Sequence, residues 1–109
     1  MKYILLLFFV SLNSFATEIG YASWYGKENS ISSTGKRLVP GRPALAHRTL
    51  PIGTKVKITS LKTQKSIIAI VEDRGPYIKG RVVDLNITAA KYLNIIEAGI
   101  CKVKVEQLQ

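Results

Sequence analysis

Asp73-Arg74-Gly75-Pro76-Tyr77-Ile78-Lys79-Gly80-Arg81-Val82-Val83-Asp84-Leu85 is the stretch from which the rest of the chain is best read. It sets two carboxylates eleven positions apart across a Gly/Pro turn. Ser66 to Glu72 (SIIAIVE) precedes it, a near-continuous β-branched run that predicts a strand covered on both faces. Asp73-Arg74-Gly75-Pro76 stops that strand, and Arg81 to Leu85 begins a short new one. A carboxyl at the end of an apolar strand is partly desolvated, which raises its pKa and suits it to act as an acid near neutral pH. Glu72, one residue earlier, should face away from Asp73 if the strand alternates. A plainer assignment is structural: Asp73 pairs with Arg74 or Arg81, and Asp84 ties down the following helix turn. Spacing alone leaves both open and leans to the second.

Beyond Leu85, Asn86 is placed to cap a helix over Ile87 to Leu93 through its side-chain oxygen. Glu97-Ala98-Gly99 makes a turn, and Ile100 to Val105 alternates as a last strand. Upstream, Lys55 to Thr59 alternates polar and apolar residues, with Leu61 to Gln64 as a hairpin loop. Ala44 to Arg48 is a short strand, followed by a turn at Thr49-Leu50-Pro51-Ile52-Gly53. Gly26 to Arg42 is dense in Ser, Gly and Pro and reads as a long loop of the kind that often binds ligands. Ile19 to Tyr25 is an aromatic and apolar strand. Six or so short strands with one short helix predict an all-β fold closed into a small barrel, because closure removes exposed edges.

The N-terminus has a different character. Met1-Lys2-Tyr3, the apolar run Ile4 to Val10 and Ser14-Phe15-Ala16 form a basic flank, a short hydrophobic segment and a small-residue cleavage site. The run is too short to span a bilayer, which takes about 20 apolar residues. Residues 1–16 are thus expected to be a signal peptide and residues 17–109 the domain, periplasmic or secreted, with no stable membrane insertion after cleavage. The chain of 109 residues carries 16 Lys+Arg against 7 Asp+Glu, a net +9, and 47% of it is apolar, too much for a disordered chain. One Cys and one His exclude a disulfide framework, a cysteine zinc site and a His-rich metal centre. No metal or cofactor is expected. Cys101 reads as a buried free thiol. The basic balance suits a polyanion. The charges are scattered and no nucleic-acid motif accompanies them, so an anionic envelope polymer is the expected partner, not nucleic acid.

Three motifs then appear in order: Ala22-Ser23-Trp24-Tyr25-Gly26, Ala46-His47-Arg48-Thr49-Leu50-Pro51-Ile52-Gly53-Thr54, and Asp73-Arg74-Gly75-Pro76 with Arg81-Val82-Val83-Asp84-Leu85. Together they resemble the rare lipoprotein A (RlpA-like) family, over about Ile19 to Leu108. The resemblance implies a six-stranded double-psi β-barrel, similar to that of expansins and family 45 endoglucanases. It also implies an endolytic peptidoglycan transglycosylase, a lyase that cuts glycan strands lacking stem peptides and leaves 1,6-anhydro-sugar ends.

Carried over by position, Asp73 matches the family's acidic residue. It would protonate the glycosidic oxygen, then accept the proton of the sugar's own hydroxyl as the anhydro ring closes. His47 matches the family histidine and is the second catalytic candidate, hydrogen-bonding the carboxylate or the sugar. Tyr25, Arg74, Tyr77 and Asp84 are the candidate substrate-binding residues, and Trp24 belongs to the cleft or the core. One departure stands out. Lys36 occupies the place, eleven residues before His47, where the family carries a glutamate. A cation there cannot serve as a carboxylate, and it would depress the pKa of a nearby acid. Glu28 lies in the same loop, at a position that does not match. The second expectation is therefore a non-catalytic, expansin-like peptidoglycan-binding module. Either form is expected to be a monomer.

Overall fold

The computed structural model describes residues 16–25 and 41–108. Residues 1–15 of the expected signal peptide, and the loop residues Glu28 and Lys36, lie outside the described residues. Six strands and one helix follow in chain order: β1 (Thr17–Trp24), β2 (Ala44–Ala46), β3 (Lys55–Ser60), β4 (Ser66–Asp73), β5 (Arg81–Leu85), α1 (Ile87–Tyr92) and β6 (Ile100–Gln107). Each expected strand is present within about two residues. β1 and β6 are longer than their apolar cores because Thr17 pairs with Glu106 and so extends both.

The strands close in the order β1-β5-β2-β4-β3-β6. β1 runs parallel to β5, and β2 parallel to β4. Antiparallel pairs β2/β5, β3/β4, β3/β6 and β1/β6 complete the ring, so no strand is left with a bare edge. Inward residues of each strand fill the barrel: Ala22, Leu45, Val56, Ile58, Ala69, Val71, Val83, Leu85, Val103 and Val105 are all buried. Each large aliphatic among them contributes about 1.5–3 kcal/mol of transfer free energy.

β4 departs from expectation. Its β-branched run is not covered on both faces. Ala69 and Val71 enter the core, whereas Ile68 is 54% exposed on the outside of the barrel. A single-walled barrel has only one packed face, and no second layer among the described residues covers β4 at Ile68.

The helix sits where the sequence places it. The Asn86 side chain accepts from the Ala89 amide at 3.0 Å, as an N-cap should. It also accepts from the Ala44 amide at 3.1 Å and donates to the Arg42 carbonyl at 2.7 Å. One buried amide thereby joins α1, β5 and the start of β2. Ala89, Ala90, Leu93 and Ile95 pack under the helix into the core. Trp24 packs against the same cluster and donates its indole N–H to the Ile96 carbonyl at 3.2 Å.

Both parallel ladders are broken by a register shift. Tyr21 pairs with Arg81 and Ala22 with Val83, which makes Val82 an extra residue on β5. Leu45 pairs with Val71 and Ala46 with Asp73, which makes Glu72 an extra residue on β4. A bulge of this kind locally resets the alternation of side chains.

Candidate active site

The pairings set a row of residues across four neighbouring strands. Ser23 on β1 lies opposite Asp84 on β5, Asp84 opposite Ala46 on β2, and Ala46 opposite Asp73 on β4. Residues directly opposite one another share a face, and flanking Val83 and Leu85 point into the core. The row therefore lies on the outside of the barrel. Asp73 and Asp84 flank the small Ala46, two strand spacings apart, or roughly 10 Å between Cα atoms. Both are half-buried.

The Ser23 hydroxyl donates a hydrogen bond to Asp84 Oδ1, and the Arg81 guanidinium donates to the same hydroxyl oxygen at 3.3 Å. Asp73 Oδ1 accepts the Arg74 amide at 2.8 Å. Tyr25 sits at the end of β1, its amide bound to the Leu85 carbonyl at 2.9 Å. Its phenol donates to Glu72 Oε2 at 2.8 Å. Burial holds the Tyr25 proton well above the ordinary range, and Glu72, Asp73 and Asp84 all add to the shift through their charge. The phenol thus bonds one carboxylate and feels the charge of two more. Glu72 is the bonded one, contrary to the simple alternation, because the bulge lets consecutive side chains of β4 serve the same site.

His47 is buried beside this row. Its amide donates to the Asp73 carbonyl at 3.0 Å. Nδ1 accepts from the Thr49 and Leu50 amides, both at 3.1 Å. A nitrogen that accepts carries no proton, so the neutral ring is protonated at Nε2, which contacts Glu18 Oε1 at 2.9 Å. Arg74 donates to the His47 and Leu50 carbonyls at 3.1 and 2.6 Å. The turn after β2 is therefore clamped to the strand end that carries Asp73. Arg48 donates to the Pro76 carbonyl at 3.4 Å in the loop before β5 and to the Arg81 carbonyl at 2.9 Å, and lies 3.5 Å from Glu18 on β1. Tyr77 is 75% exposed on that loop, next to exposed Ile78.

A cleft of about 270 Å³ opens between Glu18, His47, Arg48 and Leu50. Its lining does not take in Tyr25, Asp73 or Asp84. Asp73 and Asp84 belong to the outer row and Tyr25 stands beside it at the end of β1, while His47, bonded to the Asp73 carbonyl, also lines the cleft. Among the described residues, no three His, Cys, Asp or Glu side chains converge closely enough to hold a metal ion.

Sequence reading missed Glu72, Glu18 and Ser23 as members of this network. Ser23 was findable, since period-two alternation puts it on the face of Tyr25. Glu72 was not, because the bulge depends on the pairing of β4 with β2.

Comparison with known proteins agrees with the fold. A family model described as lytic transglycolase matches residues 17–105. The endolytic peptidoglycan transglycosylase RlpA of Rickettsia felis is 42% identical over 97 residues, covering 84% of this chain and 42% of that protein. The Vibrio cholerae protein of the same name is 40% identical over 92 residues, covering 83% and 35%. A probable RlpA transglycosylase of Nostoc is 39% identical over 93 residues, covering 82% and 25%. The chain thus spans less than half the length of these relatives. Among solved structures, a mutant Clavibacter michiganensis expansin in complex with cellohexaose aligns with TM-score 0.70 at 20% identity, over 86% of this chain and 51% of that one. A Streptomyces papain inhibitor aligns with TM-score 0.71 at 15% identity, over 89% and 98%. These two show the fold alone, whereas the family match and the relatives show descent: the chain belongs to the RlpA-like lytic transglycosylase family of double-psi β-barrels.

Proposed function

We propose that the protein is an endolytic peptidoglycan transglycosylase that acts outside the cytoplasm, in the periplasm or after secretion, with Asp73 as its acid and base. The observation that carries this reading is the outward row Ser23–Asp84–Ala46–Asp73, with its two carboxylates separated by an alanine. Ala46, small and buried, puts no bulky side chain between them, so both half-buried carboxyls could face one sugar. The protonated Asp73 gives its proton to the glycosidic oxygen as the C1–O bond breaks. The sugar's 6-hydroxyl then bonds to C1, and its proton returns to Asp73. One bond breaks, one forms, no water is consumed and the acid is regenerated. Neither a metal nor an external nucleophile enters.

The remaining candidates have roles that fit their contacts. Asp84, held by Ser23 and Arg81, accepts from sugar hydroxyls. His47 and Arg74 hold the strand end of Asp73 through the clamped turn. Exposed Tyr77 offers a ring face to a more distant sugar. In the family's relatives the glycan is peptidoglycan by name, and strands lacking stem peptides are the expected substrate here.

The test is to incubate the purified protein with peptide-free glycan and look for anhydro ends by mass spectrometry. Asp73→Asn should abolish the product, a loss of at least about a hundredfold, with its thermal unfolding unchanged. A fully active Asp73→Asn protein would mean that a different group is the acid.

One observation favours a second reading, a binding module that grips glycan without cutting it. Lys36 stands where the family carries a glutamate, and the expansin of the same fold is seen holding cellohexaose. Lys36→Glu should raise cleavage if this residue limits it. A wild type that pellets with glycan and yields no anhydro ends would establish the binding reading.

A further inference from the structure

The mechanism above leaves one buried charge unused. Glu72 is 6% exposed, directly before Asp73, at the bulge where β4 leaves regular pairing with β2. A carboxylate withdrawn from water is unfavourable unless partners replace its solvation. Two of its contacts among the described residues bear on this. The Tyr25 phenol donates to Oε2 at 2.8 Å. The Arg42 guanidinium lies 3.9 Å from Oε1, with 43% of its side chain open to solvent, so water screens that pair. The Tyr25 bond is therefore the tighter constraint.

Tyr25 is held at two points, its amide by Leu85 and its phenol by Glu72. A phenol whose only proton is committed to a carboxylate offers nothing but lone pairs to a third group. We infer that Glu72 is a positioning residue: acting through Tyr25, it fixes the phenol oxygen as an acceptor for a hydroxyl of the sugar lying beside Asp73. This rests on the reading that the outer row is the glycan cleft. The bulge has a purpose in this arrangement, since it brings the anchor of Tyr25 and the acid onto one site from adjacent positions of one strand.

The test compares the wild type, Glu72→Gln, Tyr25→Phe and the double variant on peptide-free glycan. Glutamine keeps the volume and an acceptor, but its NH2 also donates, so the phenol proton is no longer directed. Glu72→Gln should lower kcat by roughly tenfold to a hundredfold, with KM and the unfolding midpoint little changed. Tyr25→Phe should fall to a similar rate. The double variant should be no worse than either single one, because the two residues act as a unit. An unchanged kcat in Glu72→Gln overturns the inference, as do losses that multiply in the double variant or a loss matched by a lowered unfolding midpoint. If the wild type itself cuts nothing, the lytic reading fails, and retention on glycan decides the inference. Equal weakening in both single variants then supports it, and retention equal to wild type overturns it.

Discussion

Tyr25 shows how much one side chain can report on the site. Its phenol is held above its ordinary value of 10.0, first by burial, then by the hydrogen bond to Glu72 and the charges of Glu72, Asp73 and Asp84. The sign for stability follows directly. Above about pH 10 an unfolded tyrosine loses its proton while the folded one keeps it. The folded state then binds more protons, and stability falls as pH rises. The contribution is fully present below about pH 10 and is lost as pH climbs toward the folded value. Phenolate absorbance should therefore show one tyrosine lagging the others, and Tyr25→Phe should remove the lagging component. The unfolding midpoint of the wild type should also fall more steeply above about pH 10 than that of Tyr25→Phe. Parallel curves for the two proteins would show that Tyr25 is not in the surroundings described.

Among the elements, β1 and β5 carry the least obvious constraint. Gly20 on β1 faces the bulge at Val82, and a Cβ at position 20 would lie 2.5 Å from Val82 Cγ1 and 3.2 Å from the Gly80 carbonyl. Valine is stiff at χ1 and cannot swing aside. Gly20→Ala should cost about 1–3 kcal/mol as overpacking, read as a lowered thermal midpoint. In a Val82→Ala background the cost should shrink, and an equal cost in both backgrounds would remove Val82 as the cause. This contact also marks the limit of legibility. Alternation along Lys55–Ser60, the β-branched run of β4 and the capping side chain of Asn86 are local signals, and the strands and helix they announce are in place. Asp73 and Asp84 could be picked out as candidates one by one. That Ala46 lies between them follows from which strands pair, and the two bulges follow from the closure of the ring. Neither is written in any window of neighbouring residues. Glu72 was read as pointing away for that reason, and the outer face of β4 was read as covered.

The whole molecule separates its charges. Lys55, Lys57, Lys62, Lys65, Lys79, Lys91 and Lys102 are all exposed, whereas Glu72 is buried and Asp73 and Asp84 are half-buried in one outer row. Among the described residues these lysines lie on the outer surface, away from a site in which carboxylates and arginines are paired. A glycan strand without stem peptides bears free lactyl carboxylates, so on the proposed function the lysines would attract the polymer while the acids would handle its hydroxyls and bridges. Such attraction is long-range and screened, with a Debye length of about 10 Å at 0.1 M salt and about 3 Å at 1 M. Retention on peptide-free glycan should fall steadily across that range, whereas retention on an uncharged cello-oligosaccharide should hardly change. The maximal cleavage rate at saturating glycan should also hold, because on the proposed function the groups of the outer row would touch the sugar at short range. Salt-independent retention of the peptide-free strand would assign its recognition to the row and to Tyr77, and leave the surface lysines with solubility as their role.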